Sequence, residues 1–527
     1  MYGRLSLTSF LLATVVVIPC LATAEADTWE LSWIKPWWNR EASWLDEHLA
    51  EVALPSKCLA LEGMWNDWVV AACVLRSNRA VDVSVKLEGE AGFIDACGLK
   101  VAGLATGPER DGRKTWWFDP LFDNPARLGD RSSYFNNWAT ICDFPTLHLG
   151  SGAPTVLWLT IRTHGLEARS WEGRLVACDG SQGRQELPFT LKVFPISLPE
   201  DNPLMANAWI PCGGSKDIAK TVKDYGFNVA GYGDWDMLHE LGYRYHRFVL
   251  SGRGRNIGGG TPDTVTDEQL LSALKPIRET VERLDLKPDE WGIEIYDEPL
   301  DRTAKEVAAW MARIRQAWPE ARFWANPGWG PSDEASMTVA GTVDVLAPFV
   351  DVWAPYFEGF IRGGVLDAMK ATGKPVWYYW ITQVWKRPAT GGRNTPWIAW
   401  KYGLDGWGFF ALLNTQGNVD PWRGNVYQHM YPGNTVTLWM EGLRQGLQDY
   451  KRMHVLVERG TSRDALTSLV IAMLPLGRGA PWSEVSPEVC LEVRRQLDER
   501  LVALIPSGAG ASGPAVEAGQ ATASGSP

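Results

Sequence analysis

The sequence predicts a multidomain protein with an N-terminal antiparallel β-sandwich, then a (β/α)8 TIM-type barrel, then a C-terminal helical segment. Up to about residue 195, short runs of alternating apolar and polar residues are separated by turn residues, which is typical of a sandwich. After Pro199, eight strand-like runs alternate with helical patterns, as in a (β/α)8 barrel. From Thr437 the apolar residues follow helical spacing. The predicted segments are a signal peptide (1–24), the sandwich (25–198), the barrel (199–436), the helical segment (437–505) and a disordered tail (506–527).

The first 24 residues have the pattern of a secretory signal. A single Arg is followed by an apolar run from Leu11 to Ile18 and by the small residues Ala22-Thr23-Ala24. The apolar run is too short to cross a bilayer, and no other stretch reaches the roughly 20 residues that a membrane span needs. We therefore expect a secreted or periplasmic protein without a membrane span.

Charge and composition exclude several classes of partner. The chain has 51 Lys and Arg against 62 Asp and Glu, a net charge of −11, and no basic run, so nucleic acid is not an expected partner. It has 7 His and neither an HExxH motif nor Cys/His spacing for zinc, so we expect no metal and no cofactor.

The predicted sandwich has five strand-like runs and five of the cysteines. An exported chain permits disulfides, so we expect at least one among Cys58, Cys73, Cys97, Cys142 and Cys178, and we expect Cys212 and Cys490 to be reduced and buried. The stretch 126–143 fits no regular element and is predicted to be a long loop. The strand-like runs are 68–78, 81–89, 155–163, 173–180 and 189–194.

The predicted barrel contains amphipathic helical patterns at 267–284 and 304–318 between its strands. The eight strand-like runs are MANAWI (205–210), FNVAGY (227–232), YRYHRFVL (243–250), WGIEIYDEP (291–299), RFWANPG (322–328), VDVWAPYF (350–357), PVWYYWIT (375–382) and GWGFFALLN (406–414).

Two adjacent carboxylates, Asp297 and Glu298, close the fourth strand-like run. Barrel active sites lie at the C-terminal ends of the strands, and two neighbouring carboxylates raise the pKa of at least one of them, as a general acid requires. Pro299 should keep Glu298 in an extended conformation. The competing interpretation is structural, with Asp297 or Asp301 capping the helix that follows. At this position we interpret Asp297 and Glu298 as catalytic.

The other strand ends are rich in aromatic and amide side chains. Flat rings and neutral hydrogen-bonding groups suit an uncharged, polyhydroxylated ligand, which favours a carbohydrate substrate. The candidate binding residues from these strand ends are Asn207, Trp209, Tyr232, Trp235, Asn326, Trp353, Tyr356, Trp377, Tyr379, Trp407 and Asn414.

The seventh strand-like run, PVWYYWIT, contains no carboxylate. A retaining glycosidase with an enzymic nucleophile needs a second carboxylate about 5–5.5 Å from the acid, and only Glu358 and Asp420 follow late enough in the chain. The sequence therefore favours a substrate that supplies its own nucleophile, as a 2-acetamido sugar does through its carbonyl oxygen.

Between about Leu54 and Arg459 the chain resembles glycoside hydrolase family 123. The resemblance depends on the order and spacing of VLRSN, LWLTIR, YDEP, VDVWAP, PVWYYW, GGRNTPWIAWKYGLDGWGFF with Asn414, and MYPGN followed by EGLRQGLQDYK. One departure is Thr437-Leu438-Trp439, where the family tends to carry an Arg-containing stretch.

The resemblance implies a sandwich joined to a barrel and exo-acting β-N-acetylgalactosaminidase activity by substrate assistance. Asp297 would then hold and polarise the acetamido group, Glu298 would be acid and then base, and the Arg393 segment with the strand-end aromatics would form the sugar pocket. Two alternatives stay open: a glycosidase of other specificity that uses two enzymic carboxylates, and a non-catalytic carbohydrate-binding protein with the same fold. The galacto or gluco configuration of the sugar is not determined by the sequence.

Overall fold

In this computed structural model of the protein, the predicted signal peptide, most of the predicted 126–143 loop and nearly all of the predicted tail lie outside the described residues. The described residues are 29–37, 42–110, 113–122, 139–140, 146–152, 154–180, 183–209, 215–250, 257–328, 335–357, 365–381, 388–410, 412, 429–431, 434–473 and 485–506.

The N-terminal part contains two sheets in which every described pairing is antiparallel except that of β2 with β11. The first sheet has the order β1 (Trp29–Ile34), β3 (Trp68–Ser77), β9 (Thr155–Arg162), β5 (Cys97–Arg110), β6 (Arg113–Phe122). The second has the order β2 (Leu59–Trp65), β11 (Arg184–Ser197), β10 (Ser170–Cys178), β4 (Val81–Gly89), β8 (Thr146–Leu149), β7 (Ala139–Thr140). Three short helices accompany them: α1 (Ala42–Glu47), α2 (Leu49–Val52) and α3 (Ala91–Asp95).

One hydrophobic cluster joins these two sheets. It contains Trp33 and Leu159 of the first sheet and Leu175 and Leu191 of the second, and all four are at most 2% exposed. Alternate residues of β11 are buried and exposed, so each strand directs one row of apolar side chains into the shared core. Burial of this cluster holds the two sheets against each other.

The expected disulfide is not formed among the described cysteines, because Cys58, Cys73, Cys97 and Cys178 carry free thiols. Strands β3 and β5 both pair with β9, where Cys73 lies opposite Leu157 and Cys97 opposite Ile161. Two thiols on strands separated by a third are about 10 Å apart across the sheet, too far for a disulfide. Cys490 is buried and free, as predicted, and Cys142 and Cys212 lie outside the described residues.

The described residues of the next part of the chain form eight parallel strands, and their ladders and bridges form a closed ring. Ladders join β15, β14, β13, β12, β19 and β18 in this order, and β16 pairs with β17. Parallel bridges from Ile293 to Phe323 and from Trp353 to Val376 connect the two groups. The strands are β12 (Met205–Trp209), β13 (Val229–Ala230), β14 (Tyr245–Val249), β15 (Trp291–Glu294), β16 (Trp324–Ala325), β17 (Val352–Trp353), β18 (Tyr379–Ile381) and β19 (Gly406–Phe410).

Helices connect successive strands of this ring. Among them, α6 begins with a capping box between Thr266 and Gln269 and buries Leu270, Leu274 and Ile277. The helices are α4 (Lys216–Asp224), α5 (Trp235–Glu240), α6 (Asp267–Arg283), α7 (Asp301–Ala317), α8 (Ala335–Leu346), α9 (Val365–Ala371) and α10 (Asn394–Tyr402), the last preceded by a π-helical turn at Pro388–Arg393.

Two short strands, β20 (Met430–Tyr431) and β21 (Thr435–Val436), lead into the C-terminal helices α11 (Leu438–Glu458), α12 (Arg463–Met473) and α13 (Pro487–Val502). Helix α11 is buried along nearly its whole length, including Asp449 and Arg452, because it packs against α10, α13 and the first sheet. β-Sheets and helices thus follow one another in the predicted order. None of the described helices is long and apolar enough to cross a membrane.

Candidate active site

The ring strands direct alternate side chains to the inside and the outside of the ring. Trp209, Tyr245 and Trp324 form one cluster with Trp377 and Tyr379. Residues at odd-numbered spacings from them along the chain, among them Ala206, Phe248 and Phe323, belong to the larger cluster that includes the surrounding helices. Since successive strand residues point to opposite faces, the first set lines the interior of the ring.

Asp297 and Glu298 lie just beyond the end of β15, at the edge where the chain leaves the ring strands. The Nδ2 group of Asn326, just beyond β16, donates a hydrogen bond to Asp297 Oδ1 at 2.8 Å. The Tyr379 hydroxyl of β18 donates to Glu298 Oε1. The ends of β15 and β16 and the first residue of β18 therefore converge on two adjacent carboxylates, and each carboxylate has its own neutral donor.

The backbone at Glu298 differs from the sequence prediction. Its φ is +55°, in the left-handed region, whereas the effect of Pro299 predicted an extended conformation. A left-handed conformation of a residue other than glycine costs on the order of 1–3 kcal/mol and occurs often at functional sites. The turn directs the Glu298 side chain towards Tyr379. In an extended strand, the neighbouring side chains of Asp297 and Glu298 would point to opposite faces.

Gly328 provides the space for this turn. A Cβ atom at Gly328 would lie 2.4 Å from Glu298 Cβ and 2.9 Å from Glu298 Cγ. Any larger residue at 328 would therefore displace the Glu298 side chain.

The structural alternative for the pair, a helix cap, is not present. Helix α7 begins at Asp301, and Leu300 occupies the N-cap position without a side-chain capping bond. Asp297 instead bonds Asn326.

The environment of Glu298 favours its protonated form. Burial raises the pKa of Glu298, and the negative charge of Asp297 raises it further, while the hydrogen bond from Tyr379 acts in the opposite direction. Burial and the charge of Glu298 also raise the pKa of Tyr379 well above its usual value, so this phenol remains a donor. A carboxyl group with a raised pKa can act as a general acid near neutral pH.

A buried ion pair that the sequence analysis missed lies inside the ring. Arg247 Nη1 of β14 donates to Glu294 Oε2 of β15 at 2.6 Å, and the two residues are 0% and 2% exposed. The Arg247 guanidinium lies 4.5 Å from the ring centroid of Trp209 and 4.9 Å from that of Trp324. A single charged residue inside each of the apolar runs YHRFV and WGIEI is the signal that could have identified the pair.

Glu294 is a third carboxyl group near the site. Burial raises the pKa of Glu294 to about 7, with Arg247 opposing the rise and Asp297 adding to it. One Glu294 oxygen accepts the hydrogen bond from Arg247 Nη1, and the charge of Asp297 acts on this carboxyl group.

The interior of the ring also holds buried polar atoms that have no hydrogen-bond partner within the described part of the chain. A buried polar atom without a partner costs about 1–3 kcal/mol, so water or a polar ligand would be stabilised here. The atoms are both side-chain amide atoms of Asn207, Nε and Nη2 of Arg247, Tyr245 Oη, Trp324 Nε1 and Asn326 Oδ1.

Seven of the predicted binding residues lie on the interior or at the edge of the ring. Trp209 contacts Tyr379 with ring centroids 5.1 Å apart, and Tyr356 contacts Tyr379 at 5.2 Å. Tyr232 is 38% exposed and lies 5.4 Å from the Arg247 guanidinium. The seven are Asn207, Trp209, Tyr232, Asn326, Tyr356, Trp377 and Tyr379, of which Trp377 is 2% exposed beneath Trp324 and Tyr245.

Four predicted binding residues lie elsewhere, namely Trp235, Trp353, Trp407 and Arg393. Trp353 and Trp407 point outwards to the helices, with Trp353 Nε1 donating to Thr372 Oγ1 at 3.1 Å and Trp407 packed on Phe227. Trp235 begins α5 and packs on Phe248.

Arg393 is bonded through Nε to Asp449 Oδ2 at 2.9 Å and lies 5.0 Å from the Trp37 ring. It joins the ring to the C-terminal helix and does not reach the carboxylate pair. Asn414 and the late carboxylates Glu358 and Asp420 lie outside the described residues.

The described residues include no cluster of three or more His, Cys, Asp or Glu arranged to hold a metal ion. The site therefore offers acid–base groups, neutral donors and aromatic surfaces.

No family model matches the chain, and no curated protein sequence is significantly similar to it. Among solved structures, a family 123 glycoside hydrolase from Clostridium perfringens, described with the details of glycolipid glycan hydrolysis, matches with TM-score 0.59 and 10% identity. The match covers 90% of this chain and 98% of that chain. The resemblance to family 123 is therefore confirmed at the level of the fold.

Two further solved structures match at lower TM-scores. A GH5 xyloglucanase from Bacteroides ovatus matches with TM-score 0.28 and 8% identity over 74% of this chain and 98% of that chain. A GH10 xylanase from Thermobacillus composti matches with TM-score 0.31 and 9% identity over 47% of this chain and 97% of that chain.

Proposed function

We propose that the protein is a secreted glycoside hydrolase that removes terminal β-linked 2-acetamido sugars, of the N-acetylgalactosaminide type, with retention of configuration. The observation that carries the proposal is the convergence of Asp297 and Glu298 at the end of β15, each with a different neutral donor. Two carboxyl groups in different environments can divide the roles of charged stabiliser and acid. The shared fold with a family 123 glycoside hydrolase supports this interpretation.

The architecture belonging to this proposal is a β-sandwich followed by a (β/α)8 barrel with its active site at the C-terminal strand ends. The closed ring of parallel strands supports it, as does the position of the carboxylate pair beyond β15. The boundaries at residues 198 and 436 fall between β11 and β12 and between β21 and α11.

In the proposed mechanism the substrate supplies the nucleophile. Asp297, oriented by Asn326, accepts the acetamido N–H and stabilises the positive charge as the acetamido oxygen attacks the anomeric carbon. Glu298 gives its proton to the leaving oxygen. The resulting carboxylate then takes a proton from the water that opens the oxazolinium ion, which restores Glu298.

The ring interior supplies the proposed sugar pocket. Trp209 and Tyr356, which both contact Tyr379, offer flat apolar surfaces, and Tyr232 forms an exposed edge. The amide of Asn207 and the free oxygen of Asn326 are neutral hydrogen-bonding groups suited to sugar hydroxyls.

A panel of nitrophenyl glycosides tests the proposal. We expect hydrolysis of the β-N-acetylgalactosaminide or β-N-acetylglucosaminide and little or none of the β-galactoside and β-glucoside, which lack the acetamido group. A thiazoline analogue of the cyclised sugar should inhibit strongly, because it resembles the oxazolinium ion. Equal cleavage of substrates without the acetamido group, with covalent labelling of Glu358 by a 2-fluoro sugar, would instead establish a two-carboxylate mechanism.

A further inference from the structure

A groove separate from the carboxylate pair lies where the first sheet, the ring and α11 meet. Its main cavity, of about 420 Å3, is lined by Trp68 and Arg162 from the sheet and by Arg444 and Gln448 from α11. A second cavity of about 600 Å3 shares Trp68, Arg162 and Arg444 with the first. We call the two cavities together the junction groove.

The junction groove lies at the opposite end of the ring from Asp297 and Glu298. Asn202, Asn228 and Gly242 line the main cavity, and each precedes a ring strand. The carboxylate pair follows a ring strand. Because all the ring strands are parallel, residues before strands and residues after strands lie at opposite ends.

Two buried polar atoms, in α11 residues that line the groove, have no partner in the described residues. They are Arg444 Nε, a donor, and Gln448 Oε1, an acceptor, in residues that are 4% and 3% exposed. Four residues apart on one helix, these side chains lie on the same face. The helix therefore carries one unsatisfied N–H donor and one unsatisfied oxygen acceptor beside the groove.

The surroundings of Arg444 hold its guanidinium in place. It lies 3.9 Å from the centroid of Trp68 and 4.5 Å from that of Tyr225, and its Nη2 donates to Glu441 Oε2 at 2.5 Å. The Tyr225 hydroxyl donates to the other oxygen of Glu441 at 2.5 Å. The direction of the unused Nε–H is therefore set before any ligand binds, which lowers the cost of binding.

The charge of the lining indicates the class of ligand. The main cavity has four acidic side chains, Asp67, Glu200, Asp201 and Asp224, and four basic ones, Arg162, Lys223, Arg444 and Lys451. A lining without net charge does not favour an anion or a cation. Fixed donors and acceptors beside aromatic rings, in a cavity of ligand size, suit a neutral molecule with many hydroxyl groups.

We propose that the junction groove binds a neutral oligosaccharide. This inference goes beyond the proposed function, because the groove shares no residue with the carboxylate site. A glycan bound there would attach the protein to polymeric or cell-surface substrate and leave the site at Asp297 and Glu298 accessible to a sugar.

The test compares four proteins on an array of neutral and sulfated oligosaccharides: the full chain, Gln448→Leu, Asp224→Trp and the control Gln316→Leu. Gln448→Leu removes the acceptor. Asp224 is exposed at the end of α4 and lines both cavities, so a Trp there blocks the groove without altering the core. Gln316 is exposed on α7, far from the groove in the fold.

We expect the full chain and Gln316→Leu to bind the same neutral glycans, and Gln448→Leu and Asp224→Trp to bind them at least tenfold more weakly by calorimetry. Melting temperatures and hydrolysis of nitrophenyl substrates should be similar in all four. Binding that is equal in all four, absent throughout or confined to sulfated glycans would overturn the inference. Loss of the proposed activity in all four, with groove-dependent binding retained, would contradict only the proposed function.

Discussion

At the scale of single residues, the roles of Asp297 and Glu298 can be separated by the leaving group. Glu298→Gln removes the general acid, so hydrolysis of unactivated sugar leaving groups should fall by about 10²- to 10⁴-fold, while acidic phenols, which leave without a proton, should be largely spared. Asp297→Asn should slow both classes, because both pass through the same charged intermediate. Steady-state kinetics on a β-linked disaccharide and a dinitrophenyl glycoside measure the difference.

The exposed Asp289→Asn serves as the matched control and should behave like the native protein. Because Glu298 must be protonated to act, the native kcat/KM should also fall as pH rises through its raised pKa. Equal losses on both substrates in Glu298→Gln would remove Glu298 from the role of acid.

The pH dependence of stability should reveal Glu294. Its folded pKa is raised from 4.5 to about 7, chiefly by burial, so the folded chain binds its proton more tightly than the unfolded chain. This contribution is complete below pH 4.5 and is lost as pH rises through 7, an effect on the order of 3 kcal/mol. Urea unfolding between pH 4 and 8 should therefore show a decline in the native protein that is absent in Glu294→Gln.

The exposed Glu282→Gln is the control for that comparison and should follow the native curve. Parallel curves for the native protein and Glu294→Gln would mean that Arg247 keeps Glu294 ionised throughout.

Gly328→Ala should lower activity with little change in folding. The added Cβ would lie 2.4 Å from Glu298 Cβ, so the acid must move, and a displacement of about 1 Å can cost about 10²-fold in rate. Gly341→Ala in α8 is the control, because no atom lies within 4 Å of its added Cβ and alanine favours the helix. Equal kcat/KM in the two variants would show that the position of Glu298 is not critical.

At the scale of the strand, the effect of removing an aromatic side chain depends on whether that side chain points into the ring of strands or out towards the helices. Trp407 of β19 points outwards and is 0% exposed, so Trp407→Ala should cost about 3–5 kcal/mol of unfolding free energy and leave kcat/KM of the folded fraction unchanged. Tyr379 of β18 points inwards to Glu298. Tyr379→Phe should keep most of the stability and lower kcat/KM by roughly 10- to 100-fold, through the lost hydrogen bond to a carboxyl group.

Melting temperature and kinetics on the same preparations separate these two outcomes. A Trp407→Ala protein with near-native stability and a raised KM would return Trp407 to the sugar pocket.

At the scale of the whole molecule, buried ion pairs connect the N-terminal sheet to the C-terminal helices. Arg452 of α11 bonds Asp67 Oδ2 at 2.5 Å and Asp498 Oδ1 at 2.6 Å, and all three residues are at most 5% exposed. Arg452→Met would leave two buried carboxylates without their cation. We expect the free energy of unfolding to fall by about 3–5 kcal/mol, because the lost ion pairs join the N-terminal sheet to the C-terminal helices. Unfolding should still occur in a single transition.

The control for that change is Arg495→Met on the exposed face of α13, where ion pairs with Glu492 and Glu499 should contribute only about 0–1 kcal/mol. Circular dichroism and tryptophan fluorescence should report the same midpoint for each protein. A small loss in Arg452→Met, or two separate transitions, would show that the parts unfold independently of this network.

Local sequence patterns predict the order of the elements and the edge where the carboxylates lie. Runs such as WGIEIYDEP indicate both a strand and the point where it ends, because apolar residues, turn residues and Pro influence the backbone over only a few positions. The strands begin and end within a few residues of the predicted runs, and α6 is predicted to within one residue of its end. The prediction of Asp297 and Glu298 as a pair at a strand end has the same local basis.

Long-range packing determines which aromatic residues face the interior, which charges pair and where the thiols lie. A parallel strand surrounded by helices is buried on both faces, so its sequence does not distinguish Trp324, which points inwards, from Trp353 and Trp407, which point outwards. Arg247 pairs with Glu294 across 47 positions and Arg393 with Asp449 across 56, so neither partner is visible in the local sequence. These assignments depend on contacts between distant segments, which only closure of the ring and packing of α11 against it bring together.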